Sequence, residues 1–155
     1  MMNRRRTAAV AGVAALGAFA LTGCGLSKPS ALVTMVSGTQ SAHTEARCRN
    51  IPAGDEAKLT ECLNPTTAGL KKPTALKVSE GSEVGIGVDT SISDHNWRFV
   101  INSDTAGPQI ADRTYYQAFR VPYGSFDEAN TLSVSVIEYS KDQPKNVWTF
   151  DLEKK

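Results

Sequence analysis

The chain has 155 residues, 17 of them Lys or Arg and 16 Asp or Glu, with a formal net charge of +1. The basic residues are scattered, so there is no electrostatic footprint for nucleic acid and no polybasic patch for a membrane surface. Two histidines and three cysteines leave little material for metal or nucleophilic chemistry.

The N-terminus opens with Arg4-Arg5-Arg6 and then runs uncharged from Thr7 to Leu21, 15 residues of mostly Ala, Gly and Val. A basic start, an apolar stretch too short for the roughly 20 residues of a bilayer span, and small residues before a cut site describe a secretory signal peptide. Leu21-Thr22-Gly23-Cys24 closes it and resembles the lipobox of bacterial lipoproteins. The resemblance implies cleavage between Gly23 and Cys24, a diacylglyceryl group on the Cys24 thiol, and a protein held on the extracytoplasmic face of the cell membrane. Two acyl chains anchor stably where one binds only reversibly. A twin-arginine export route is suggested only by Arg4-Arg5-Arg6. Loss of residues 1–23 leaves 14 basic against 16 acidic residues, a net charge of −2. In that setting the expected partners are an envelope protein, a polymer or a small molecule.

Residues 24–30 read as the lipidated cysteine and a tether of Gly, Ser, Lys and Pro, and residues 31–155 as one domain large enough for a core. With Cys24 assigned to the lipid, Cys48 and Cys62 remain as a natural disulfide pair outside the cytoplasm. A metal or redox pair is the alternative, but there is no Cys-x-x-Cys and no nearby His-x-His. Within the loop they close, Asp55 to Leu63 reads as a short helix, with Gly54 or Asp55 as its cap and acids in its first turn.

The rest reads as strands. Ala31–Val36 and Gln40–Cys48 flank a turn at Ser37-Gly38-Thr39, and Leu76 and Val78 precede another at Ser79–Ser82. Val84, Ile86 and Val88 alternate with Glu83, Gly85, Gly87 and Asp89, and Gly85 and Gly87 are expected to mark a bend or the close approach of another backbone. Trp97, Phe99 and Ile101 share a face. The segment from Arg113 to Val121 holds Tyr115, Tyr116 and Phe119 without a clear division of faces. Leu132, Val134 and Val136 are followed, across a turn at Asp142-Gln143-Pro144, by Trp148, Phe150 and Leu152. The expectation is an all-β protein: an antiparallel, immunoglobulin-like β-sandwich of about seven or eight strands with one short helix in the disulfide loop.

The stretch His43–Asn50, then Cys62, Lys77–Asp89 and Trp97–Asn102, resembles a group of short actinobacterial lipoproteins with no established activity. That likeness implies a fold and a location. Asn64-Pro65-Thr66-Thr67-Ala68-Gly69 resembles the loop of chagasin-like protease inhibitors, but Ala68 interrupts the Thr-Gly step and the loop precedes the Glu83–Asp89 strand.

Catalytic residues, metal ligands and cofactors do not emerge. His43 falls in a strand and Asp94-His95 in a turn, with no serine elbow beside either, and Met35, His43 and His95 lack the clustering of a dedicated copper site. The positive signal is Tyr115, Tyr116 and Arg120, since aromatic and arginine side chains make good interface anchors. The alternative is that two or three of these aromatics fill the core. The expected function is lipid-anchored binding or scaffolding without catalysis. The alternative is a small enzyme, protease inhibitor or metal-handling lipoprotein whose site is assembled from residues distant in sequence.

Overall fold

The computed structural model describes residues 30–126 and 128–155; the segments expected to be the signal peptide, the lipobox with Cys24 and the tether up to residue 29 lie outside the described residues. Two β-sheets pack face to face. The four-stranded sheet has the order β2-β1-β4-β7 and the five-stranded sheet the order β3-β9-β8-β5-β6. The strands are β1 Leu32–Ser37, β2 Gln40–Glu45, β3 Thr74–Val78, β4 Glu83–Val88, β5 Asn96–Ile101, β6 Thr105–Ala106, β7 Tyr115–Arg120, β8 Thr131–Ser140 and β9 Gln143–Lys154. The ninth strand beyond the expected count is the two-residue β6. Helix α1 spans Glu56–Leu63 inside the disulfide loop, and a single turn, α2, spans Thr90–Ser93. Among the described residues no helix is long and apolar enough to cross a membrane.

The alternating strands bury one face each. Val33 and Met35 of β1, Val84, Ile86 and Val88 of β4, Trp97 and Phe99 of β5, Leu132, Val134 and Val136 of β8, and Trp148, Phe150 and Leu152 of β9 form the core between the sheets. Both tryptophans are buried and both place their indole N–H on a backbone carbonyl, Trp97 on Arg113 at 3.0 Å and Trp148 on Ala31 at 3.1 Å. A buried indole without such an acceptor would carry the desolvation cost of its N–H.

One pairing departs from the antiparallel expectation: β3 lies parallel to β9. The reason is the crossover between β2 and β3. It carries the chain over the outer face of the five-stranded sheet and returns it to the same end, so β3 sets out in the direction of β9. The turn of the β8–β9 hairpin is also shifted by one residue. Ser140 pairs with Gln143, and the turn is Lys141-Asp142, both with positive φ (51° and 60°), while Pro144 sits within β9 beside the irregularity at Glu138/Tyr139. Two consecutive left-handed residues match the twist of the strands they join, and a proline is tolerated in a strand where the ladder is interrupted.

The crossover builds a second core. Cys48, Ile51, Cys62, Val100, Ile137 and Val147 pack together, with Leu59, Leu63 and Leu70 against them. Asp55 caps α1, its carboxylate accepting from the Lys58 amide at 2.8 Å. Cys48 pairs with Val147 of β9 as an isolated bridge and is disulfide-bonded to Cys62, so the helix is bolted to the sheet. Buried Arg47 completes the attachment. Its guanidinium donates to the carbonyls of Asn64 (2.8 Å), Pro65 (3.3 Å) and Lys71, gathering the chain that leaves the helix C-terminus, where a cation is favourable. Burial lowers the Arg47 pKa from its ordinary value and the charge of Asp151 opposes that shift.

Replacing both Cys48 and Cys62 by Ser is expected to cost about 3 kcal/mol, the entropy of a loop of this length. Chemical denaturation of the two proteins under non-reducing conditions measures it, and intact mass before and after reduction reports the bridge in the native protein.

Candidate functional site

The register of the four-stranded sheet divides the Tyr/Arg cluster. Ile86, a core residue, pairs with Tyr116, whereas Gly87 pairs with Tyr115 and Gly85 with Gln117. Cross-strand partners share a face, so Tyr116 turns inward and Tyr115 outward. Tyr116 is half-buried, with its ring 6.4 Å from that of Phe99. Tyr115 is 57% exposed. A register shift between Val84 and Gly85 then brings Phe119 inward, stacked 5.7 Å from Phe99, and leaves Arg120 outside opposite Glu83. Arg120 donates to the Glu83 carboxylate at 2.9 Å; both side chains are exposed, so the pair contributes little stability.

The outward positions of β4 are Glu83, Gly85 and Gly87. On Gly85 lies the phenol end of Tyr115, so close that a Cβ there would stand 2.8 Å from the ring carbon Cζ. Tyr123, the other large exposed hydrophobic residue at 82%, repeats the arrangement at the turn leading into β4. A Cβ on Gly81 would stand 2.7 Å from its hydroxyl oxygen and 3.1 Å from Cζ. Each tyrosine is thus seated on a glycine with most of its surface in solvent. The rest of this face is carried by Ser41, His43 and Glu45 of β2, all exposed, and by half-buried Leu32, Thr34 and Val36 of β1. Arg113, Tyr115, Gln117 and Arg120 line an open groove of about 390 Å³ along β7, one of the two edge strands of the sheet.

The loop carrying Tyr123 is pinned. One Glu80 carboxylate oxygen accepts both the Gly124 amide and the Lys154 ammonium, each at 3.1 Å, and Lys154 also stands 5.8 Å from the Phe126 ring centre. The Gly124 hydrogen bond, followed by that of Lys154, holds the Glu80 pKa below its ordinary value.

At the opposite end of the sandwich is a second polar constellation that the residue pattern does not announce. Glu138 continues the inward row of Leu132, Val134 and Val136 on β8, and its side chain is 4% exposed. Its carboxylate meets His95 Nδ1 at 2.7 Å, the Asn146 amide nitrogen at 2.6 Å and Lys145 Nζ at 3.7 Å. Asn146 in turn accepts the Asn50 amide at 3.0 Å. His95, partly exposed after the α2 turn, is therefore the partner of a buried acid. The His95–Glu138 contact is close but poorly aligned for a hydrogen bond.

His43, exposed on the outer face, and Met35, buried in the core, lie on opposite sides of the four-stranded sheet from one another, and His95 belongs to the Glu138 cluster. Among the described residues no three His, Cys, Asp or Glu side chains gather as a metal site.

Two measurements probe these contacts. His95→Ala leaves buried Glu138 with fewer partners and is expected to destabilise the fold by about 1–3 kcal/mol in chemical denaturation. A depressed carboxylate pKa contributes stability above its unfolded value and loses it as pH falls through the folded one. The difference in melting temperature between the native protein and Glu80→Gln is therefore expected at neutral pH and should vanish as pH drops through the carboxylate range. Comparison with protein-family models, with curated proteins and with solved structures finds no match.

Proposed function

We propose that the protein is a lipid-anchored binding lipoprotein on the extracytoplasmic face of a bacterial cell membrane, held through Cys24 and acting by recognition rather than catalysis. The observation that carries the binding half is the outward face of β4 and β7. Exposed Tyr115 and Arg120 stand there on β7, and Tyr116 and Phe119 of the same strand turn to the core side. Exposed aromatic and arginine side chains on a pre-organised surface lose little entropy on binding and bury much area. The anchoring half rests on the resemblance of Leu21-Thr22-Gly23-Cys24 to a lipobox and on the basic, then apolar, segment before it. No cofactor enters this reading, and nucleic acid is not among the partners.

Cys24→Ala is expected to abolish incorporation of a labelled fatty acid and to shift the protein out of the membrane fraction. Unchanged labelling would remove the anchor from the proposal. For the binding half, cross-linking in intact cells should capture a ligand on the native protein and lose it in Tyr115→Ala. Adducts that persist in that variant would place binding elsewhere on the molecule.

A further inference from the structure

We infer that the open face of the four-stranded sheet packs against the same face of a second copy of this chain, about a two-fold axis running along the strands between β1 and β4. This rests on the binding reading above and names the partner.

The register makes the face self-complementary in shape. Val36 and Thr34 project from β1, while Gly85 and Gly87, level with them on β4, project nothing. An axis along the strands exchanges β1 with β4 and β2 with β7, and keeps every row level with itself. The column that carries side chains in one copy therefore lies against the glycine column of the other. There Val36 and Thr34 meet the phenol end of Tyr115, which lies over Gly85. Covering a half-buried valine with an aromatic side chain removes apolar surface from water on both copies.

Charge matches in the same arrangement. Glu45 of β2 is level with Leu32, whose backbone carbonyl accepts the Asp89 amide at the end of β4. Continuing the β4–β7 register past the Gly87–Tyr115 pair brings Arg113 level with Asp89. The axis thus carries Arg113 to Glu45 of the second copy. Arg113 is exposed, lines the groove beside Tyr115, and makes no ion pair among the described residues. Glu45 meets Arg49 at 3.1 Å, yet its side chain is still 53% exposed, so a second guanidinium can reach it.

The direction of the axis suits the proposed anchor. It keeps both starts of β1 at one end, so two copies can be held through Cys24 in the same membrane; an axis across the strands would send the second anchor to the far end. Four strands about 4.8 Å apart and six residues of about 3.3 Å each make a patch on the order of 20 Å square. Two such patches bury on the order of 1,000 Å², the low end for a specific interface. Confinement to one membrane raises the effective concentration and lets so small an interface hold. Pairing through the β7 edge is opposed by its register shift at Val84/Gly85 and by charged Arg120.

The test uses the full-length protein in membranes of cells carrying two differently tagged forms. Ser41 on β2 and Gln117 on β7 are about 14 Å apart within one copy, three strand spacings, but face one another across the axis. Ser41→Cys in one form and Gln117→Cys in the other should give a dimer with a short bismaleimide. Ala57→Cys, on the helix covering the other sheet, paired with Gln117→Cys reports random collision. Arg113→Glu should cut linkage about tenfold by setting like charges together, and Glu45→Arg in the same chain should restore it. Melting curves identify any variant that fails to fold, and the exposed cysteine pair then carries the comparison. Linkage of Ser41 to Gln117 no greater than the collision control, or a charge swap that fails to restore it, overturns the inference. A photoreactive side chain at Gln117 separates that failure from failure of the binding reading. An adduct solely with another molecule refutes the second copy and leaves binding standing, while no adduct of either kind refutes both.

Discussion

Much of this molecule follows from one attachment, the fastening of the segment between β2 and β3 onto the outer face of the five-stranded sheet. The Cys48–Cys62 bond ties α1 to the segment after β2 that bridges Val147 of β9, and the Arg47 guanidinium collects the carbonyls just beyond the helix. With Leu59, Leu63 and Leu70 packed below, that sheet is covered on both sides and its outward Val100, Ile137 and Val147 become core. The four-stranded sheet is covered on one side, and its other face carries the exposed Ser41, His43, Tyr115, Gln117 and Arg120. The fold thus has three layers, and the staple decides which sheet surface is available to anything outside. The direction of β3 follows from the same crossover, which returns the chain alongside β9 rather than against it.

The open face differs from an ordinary solvated sheet in being nearly bare along β4. Thr34 and Val36 of β1 flank Gly87 and Gly85, and the gap left by the missing side chains is where Tyr115 lies down. Glycine weakens a strand because it has no side chain to pack, and an aromatic laid across it restores some of that packing. The arrangement therefore couples local stability to the shape of the surface. At the far end, Glu80 does for the Tyr123 loop what strand pairing does for Tyr115, holding it through the Gly124 amide and Lys154.

The alternation of Val84, Ile86 and Val88, the runs around Trp97 and Phe99, and the last hairpin were legible because each buries a single face. The disulfide was legible by counting cysteines, and the capped helix by Asp55 and its acidic first turn. The division of Tyr115 from Tyr116 was not, because it depends on register with β4 and on the irregularity at Val84/Gly85. Neighbouring aromatics on a strand must face opposite ways, but which one faces out is set by a partner strand far off in sequence. Arg47 and Glu138 were hidden for a related reason. Each is a charge placed where the pattern asks for an apolar or solvated residue, and its compensation comes from remote groups: the carbonyls after α1 for Arg47, and His95 and Asn146 for Glu138.

The two ends of β1 have different neighbours. Its start lies close to the chain's entry at Ser30, while its end, Ser37, bonds Ser82 beside the turn on which Tyr123 rests. On the proposed anchor at Cys24, residues 25–30 reach at most about 20 Å. A ten-residue strand such as β8 adds roughly 33 Å along the sandwich. Tyr115 would then sit near the bilayer and Tyr123 at the far tip, so the strip between them stands like a short mast within the first few nanometres outside the membrane. The tether length, as much as the chemistry of the face, then selects which layer of the envelope the protein can touch.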